Sequence, residues 1–288
     1  MKPKVRKYLK LLIILLLFTF YVYSNVYAQK ALGTKNDIIQ TRELDEFNSL
    51  IFDGDMNIHI FQGDINNVVI VGDRDLVNKI QTNVSDKILK IYSYEVKKMD
   101  DFLINISVKD LKAIDITGDV NITVETPANF DELEIYLSNE WSTLNLDITG
   151  EKLNCNISGI GVVEITSSVE YMNVSVTENI AAKLHVNSMT VRSKVDWMAE
   201  ASFEGKTDLL DLYVSNLGYV NAFNLNSNTC YVNTEENSDV SVSCSKKLSV
   251  TGNGKSYIYY QGEPEDKYVN LSGSAKIKKK SGLFAVLR

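Results

Sequence analysis

The chain has 288 residues, of which 44% are hydrophobic and 23% charged, with 3 prolines and a formal net charge of −7. This apolar content is enough for a packed core, so general disorder, a collagen-like chain and a disulfide-rich scaffold are excluded. The net acidity also argues against a nucleic-acid-binding protein.

The N-terminal segment, positions 1–28, has the organisation of a secretory leader. Five cationic side chains fall within positions 1–10, an apolar stretch runs from Leu11 to Val22, and the segment ends on Ala28. This order is typical of a signal peptide with cleavage near Ala28. An uncleaved anchor is the alternative, but the apolar stretch is shorter than the ~20 residues that a bilayer requires. We expect an exported protein (periplasmic, outer-surface or secreted) with no membrane span in the mature chain.

After a polar linker (29–45), one head domain is predicted over residues 46–275. Short runs with alternating apolar residues recur, for example Leu144-x-Leu146-x-Ile148 and Val240-x-Val242-x-Cys244, and turn residues separate them at steps near 20. A fixed period of this size indicates a repeat architecture in which each unit buries its apolar side against its neighbours. The prediction is an all-β, β-helix-like solenoid of about eleven coils of about 20 residues.

The sequence of residues 46–110 is also compatible with a second fold. Gly54-Asp55, Gly63-Asp64 and Gly72-Asp73 recur at a regular interval between short apolar runs. Such dipeptides are typical of hairpin turns, so an antiparallel β-sandwich or a distinct N-terminal subdomain is the alternative here. A calcium-binding role for these turns is the second interpretation, although the denser glycine pattern of calcium-binding repeats is missing.

Two further patterns bear on the coils. Asn154 and Asn173 are separated by one coil length, which predicts that their amides stack on successive coils and hydrogen-bond along the axis. Of the three cysteines, Cys155 is expected to be a small buried apolar residue. Whether Cys230 and Cys244 pair stays open, and an odd count leaves at least one thiol free.

The candidate ligand-binding residues form one polar set in a largely acidic chain: Lys183, His185, Arg192, Lys194 and Asp196. They alternate with Leu184, Val186, Val191, Val195 and Trp197, so the apolar set is predicted to face the core and the polar set to form an exposed row. Cationic groups beside an acid suit an acidic glycan. Ordinary solvated strand faces are the alternative, and the tyrosines of Tyr257–Tyr260 are a second candidate surface.

The chain carries no recognisable catalytic set, since nucleophile elbows, phosphate-binding loops and zinc-ligand spacings are all missing. Neither a metal site nor a cofactor is predicted. The basic and apolar tail, residues 276–288, is expected to cap the last coil, because the end of a solenoid exposes unpaired strand edges.

The run Phe47-Asn48-Ser49-Leu50-Ile51-Phe52-Asp53-Gly54, the mid-chain Ser158-Gly159-Ile160-Gly161 and the closing Ser272-Gly273-Ser274-Ala275 resemble the head GIN-domain family. The resemblance covers roughly residues 43 to 280, although many coil positions carry Asn or Glu where the family has Gly. It implies export to the bacterial envelope, a β-helix-like fold and an adhesin role, and it supplies no catalytic residues.

Two functions from different classes follow. The leading hypothesis is a non-enzymatic, adhesin-like binding or scaffold module whose partner is an envelope glycan or another envelope protein. The alternative is a glycan-binding or polysaccharide-cleaving β-helix enzyme.

Overall fold

The computed structural model describes residues 36–93, 101–124 and 128–280 and, apart from residues 139–141, their side chains. The predicted leader (1–28) and residues 281–288 of the tail lie outside the described residues. The strands are β1 (Asp37–Arg42), β2 (Ser49–Gly54), β3 (Met56–Gln62), β4 (Asn67–Asp73), β5 (Ile80–Ser85), β6 (Ile88–Ser93), β7 (Phe102–Val108), β8 (Ala113–Ile116), β9 (Val120–Val124), β10 (Ala128–Asn129), β11 (Glu132–Asp196), β12 (Glu200–Val214), β13 (Tyr219–Thr234), β14 (Asp239–Gly252), β15 (Tyr257–Gln261), β16 (Asp266–Leu271) and β17 (Lys276–Lys279). A one-turn helix, α1, covers Arg74–Val77.

Successive coils stack in parallel register at the predicted period. Each step along one column of paired residues matches the predicted coil length, and the column runs Ala182, Ala201, Val220, Val240, Ile258 and Ile277. The β-solenoid fold is therefore confirmed. It has about 8 turns, fewer than the eleven predicted.

The coils form two main faces, which we call face A and face B. Face A contains β8, residues 191–195, 210–214, 230–234 and 248–252, and β16. Face B contains β9, residues 182–186, 201–203, 220–222 and 240–242, β15 and β17. Alternate residues of each strand point inward, as the two-residue period of a strand requires. They form one continuous hydrophobic core from Phe47 to Tyr260.

The N-terminal region explains the smaller number of turns. β2 and β3 lie between two later layers, because they pair with β6 and β7 on one side and with β8 and β9 on the other. Residues 49–108 thus stack out of chain order rather than as consecutive turns. Antiparallel pairing is found here, where β4 pairs with β7, β1 with β4 and β5 with β6. The strands β1, β4 and β5 cover the N-terminal end of the stack.

Several predicted segments can now be placed. The strand β1 falls within the segment predicted as a linker, and Gly54, Gly63 and Gly72 lie at or beside the ends of β2, β3 and β4. β17 pairs with β15 as the last strand of face B. The three cysteines are buried and unpaired.

Candidate functional site

The structure divides the predicted row of binding residues between two faces. Lys183 and His185 lie on face B, in register with Ser202 and Glu204, whereas Arg192 and Lys194 lie on face A, in register with Asp211 and Tyr213. The chain turns a corner between the two pairs. The prediction of a single exposed row is therefore wrong as a spatial arrangement.

Asp196 is buried, which corrects its predicted exposure. Its Oδ1 accepts hydrogen bonds from Ser215 Oγ (2.8 Å), Asn216 Nδ2 (2.8 Å) and the Trp197 backbone N–H (3.0 Å). Its Oδ2 lies 3.4 Å from Lys194 Nζ. Trp197, which the alternating pattern assigned to the core, is 61% exposed.

These contacts set the charge of the carboxylate. Burial alone raises the pKa of Asp196, but hydrogen bonds from Asn216 and Ser215 and the charge of Lys194 outweigh it. The pKa is held below its ordinary value, and the group is ionised at neutral pH. Asp196 thus ties one coil to the next and positions Lys194. Its Oδ1 is fully engaged by three donors, and its Oδ2 faces Lys194.

On face B, His185 lies between two glutamates of neighbouring coils. Its Nε2 is 3.7 Å from Glu164 Oε1 and its Nδ1 is 3.6 Å from Glu204 Oε2. All three side chains are about half exposed, so the pairs contribute little to stability. An acidic rim on this face disfavours anionic ligands.

Arg192 and Lys194 belong to a shallow recess of about 460 Å³, which we call the face A depression. Its bed carries the predicted asparagine ladder, in which Asn173 Nδ2 donates to Asn154 Oδ1 at 2.8 Å. The ladder prediction is confirmed. Tyr136 and Tyr213 line the same recess. They stand four coils apart, about 19 Å at ~4.8 Å per strand.

The face A depression is lined mainly by polar, cationic and aromatic side chains. The side chains of Arg192 and Lys194 are 60% and 51% exposed, and Arg192 Nε is 3.9 Å from Asp211 Oδ2. The planar amides and the two cations can donate hydrogen bonds to hydroxyls and carboxylates. The aromatic rings can stack against sugar rings.

A second and larger recess follows the corner after face B, and the sequence did not predict it. This corner groove has a volume of about 830 Å³ and crosses successive coils at residues 187–189, 206–208, 226–228 and 243–245. Ser188, Thr207 and Ser227 are buried along it. The spacing of these residues by one coil length is a sequence signal that could have indicated the groove. Small polar residues at this period are equally typical of ordinary turns, so the signal is not specific.

The C-terminal coils carry a basic and aromatic surface. Lys280 Nζ lies 4.2 Å from the centre of the Tyr259 ring, and Lys247 Nζ lies 5.3 Å from the Tyr231 ring and 5.7 Å from the Tyr268 ring. The candidate tyrosines of residues 257–260 therefore contact lysines of the chain itself.

The arrangement of charges bears on catalysis and metal binding. Glu134 Oε2 accepts a hydrogen bond from Tyr136 at 2.8 Å, and Asp211 pairs with Arg192 at the other end of the depression. Within the described ranges, no three His, Cys, Asp or Glu side chains are grouped so that they could hold a metal ion.

No helix of residues 36–93, 101–124 and 128–280 is long and apolar enough to cross a membrane.

Comparison with known proteins gives a family and a fold. The family model "Putative auto-transporter adhesin, head GIN domain" matches residues 46–179 and 173–264. Among solved structures, the chain resembles a "putative adhesin" (TM-score 0.64, 18% identity) and a "putative lipid binding protein" (0.62, 20%), both from Parabacteroides distasonis. A "putative adhesin" from Parabacteroides merdae is also similar (0.54, 17%).

Each of these three alignments covers 86% of this chain and 98% of the neighbour. At such low identity the likeness establishes the fold alone. No curated protein matches the chain.

Proposed function

Because the chain belongs to the family described as "Putative auto-transporter adhesin, head GIN domain", we propose that it is an exported, non-enzymatic binding module of the bacterial cell envelope. The leader over residues 1–28 supports export, with the mature chain periplasmic, on the outer surface or secreted. A rigid stack of coils suits adhesion, because it holds the surface side chains of many coils in fixed positions.

We place the binding surface at the face A depression and assign it an acidic glycan of the envelope. The observation that carries this proposal is the joint placement of Arg192, Lys194 and two tyrosines around the asparagine ladder. The guanidinium and ammonium groups would bind sugar carboxylates, and the amides would bind hydroxyls. Asp196 would be a positioning residue, since it holds Lys194 from behind.

The geometry favours binding over cleavage. Glycoside hydrolysis uses two carboxyl groups about 5 to 9.5 Å apart. Glu134 and Asp211, the carboxylates lining the depression, stand four coils apart, about 19 Å by strand spacing. Each is also engaged by its own neighbour, Tyr136 or Arg192. A glycoside hydrolase that uses these two carboxylates is therefore the weaker hypothesis.

The test measures binding to a glycan array that includes uronic-acid polysaccharides, followed by titration of the best ligand. Arg192→Ala and Lys194→Ala should each weaken binding roughly 10- to 150-fold, because each removes a charge-assisted hydrogen bond worth about 1.5–3 kcal/mol. Lys183→Ala is the matched control, since it removes an equal charge from face B and should leave affinity unchanged.

Equal losses in all three variants would indicate attraction by charge alone and contradict a site on face A. If the wild-type protein instead shortened the glycan, and Glu134→Gln or Asp211→Asn abolished that cleavage, the enzyme hypothesis would be established.

A further inference from the structure

Two of the three cysteines lie at the two ends of one coil. Cys230 opens the face A strand of residues 230–234, and Cys244 follows the face B strand of residues 240–242. The chain leaves the corner groove at the first cysteine and returns to it at the second. The pair therefore brackets most of one coil.

The side chains of this pair are neighbours. The Cys230 thiol donates to the Ser243 carbonyl at 3.6 Å, and the Cys244 thiol lies 3.7 Å from the Asn228 carbonyl. The Cys244 thiol also donates to the Lys247 carbonyl at 3.0 Å. Each sulfur thus contacts a backbone carbonyl within two residues of the other cysteine. Both residues are at most 1% exposed.

The two sulfurs differ in their surroundings. Cys244 lines the corner groove, and the neighbouring Cys230 thiol lowers its pKa. Burial opposes this, but backbone N–H groups of Cys230, Lys246 and Lys247 add to it. The pKa of Cys230 is raised by its contact with Cys244 and by burial. Because Cys244 lines the groove and Cys230 does not, Cys244 is the cysteine that an oxidant in the groove would meet first, and Cys230 is the resolving thiol.

We propose that Cys230 and Cys244 form an intramolecular disulfide that closes their coil, made by thiol–disulfide exchange through the corner groove. The inference relies on the proposed export only for oxidising surroundings in the cell. The oxidant is a disulfide, either glutathione disulfide or the active-site disulfide of a thiol oxidase.

The exchange has two balanced steps. When local opening of the corner exposes Cys244, its thiolate attacks one sulfur of the oxidant, which forms a mixed disulfide and releases one thiolate. Cys230, on losing its proton to solvent, then attacks Cys244 Sγ, which forms the Cys230–Cys244 bond and releases the second thiolate. Two protein thiols lose two electrons and two protons, and one disulfide of the oxidant becomes two thiols.

Cys155 provides an internal control. It is buried alone in an earlier coil, and burial raises its pKa to about 12. It has neither a thiolate nor a neighbouring thiol, so it should remain reduced under conditions that oxidise the pair.

The experiment incubates the folded protein with glutathione disulfide, denatures it in iodoacetamide and analyses it by non-reducing mass spectrometry. We expect that only Cys155 is alkylated and that a cross-linked peptide pair contains residues 230 and 244. The intact mass before alkylation should be two hydrogens lower than that of the fully reduced protein. The oxidised form should melt roughly 5 to 10 °C higher than the reduced form, because the closed loop limits the unfolded chain.

Three alkylated cysteines, a cross-link to Cys155, a persistent glutathione adduct on Cys244 or a lower melting temperature after oxidation would each overturn the proposal. Cys230→Ser should trap the glutathione adduct on Cys244, whereas Cys155→Ser should oxidise like the wild type. Glycan binding is measured on a different face, so its loss or retention leaves this result unaffected.

Discussion

At the scale of single residues, Asp196 shows how a side chain that looks like a ligand group can be structural. It lies beside two exposed cations in the sequence, yet its Oδ1 accepts three hydrogen bonds from residues 197, 215 and 216. A buried carboxylate of this kind joins adjacent coils at a corner where the chain leaves face A.

Asp196→Asn should lower the free energy of unfolding by about 1–2 kcal/mol at pH 7, since it removes the charge that strengthens these bonds. The pKa of Asp196 is lower in the folded chain than the unfolded value of about 4, so this stabilisation is complete above pH 4. It disappears as the pH falls through the folded pKa. Urea unfolding at pH 7 and at pH 3 measures the difference.

The exposed Asp131→Asn is the control, and it should change stability little at either pH. A deficit in Asp196→Asn that is equally large at pH 3 would show that shape rather than charge carries the effect.

The sequence predicted most of what local periodicity determines. The coil length and the Asn154–Asn173 ladder follow from spacing, because stacked coils place equivalent residues on top of each other. The division of Lys183 and His185 from Arg192 and Lys194 was missed. The outward-facing residues are odd-numbered from 183 to 189, whereas they are even-numbered at 192 and 194. That change of parity marks a corner, and the prediction treated the two strands as one.

At the scale of elements, each coil contacts mainly its two neighbours. Residues 181–195 pair with residues 200–214 at a constant offset. Removal of residues 191–209 would therefore place Leu210 where Val191 stood, with every later pairing preserved.

This one-coil deletion should leave a monomer with an unchanged far-ultraviolet circular dichroism spectrum per residue and without glycan binding, because Arg192 and Lys194 go with the coil. Size-exclusion chromatography and the binding titration measure both results. Deletion of residues 191–200, about half a coil, shifts later strands out of register and should produce aggregates. If both deletions behave alike, register is not what holds the stack together.

At the scale of the whole molecule, charge is distributed along the chain in a way that fits export. All 37 carboxylate side chains fall between residues 29 and 275, whereas the leader and the tail are basic. In the proposed export, removal of the predicted leader would take away five positive charges and make the chain more acidic.

Protein recovered from the envelope fraction or medium should therefore begin at Gln29, as N-terminal sequencing would show. Ala28→Asp should block cleavage and leave a heavier, membrane-retained form, because the residue at −1 must be small and uncharged. A wild-type protein that keeps Met1 and stays with the cytoplasm would contradict export.

The placement of β2 and β3 between later layers has a consequence for synthesis. The first layer made cannot be completed until residues 88–108 have emerged and covered one side of it. From then on that end is finished, and each further coil adds to the other. We therefore expect growth of the stack from this end alone, so a chain that gains or loses whole coils should differ in length without a change in the layer at its beginning.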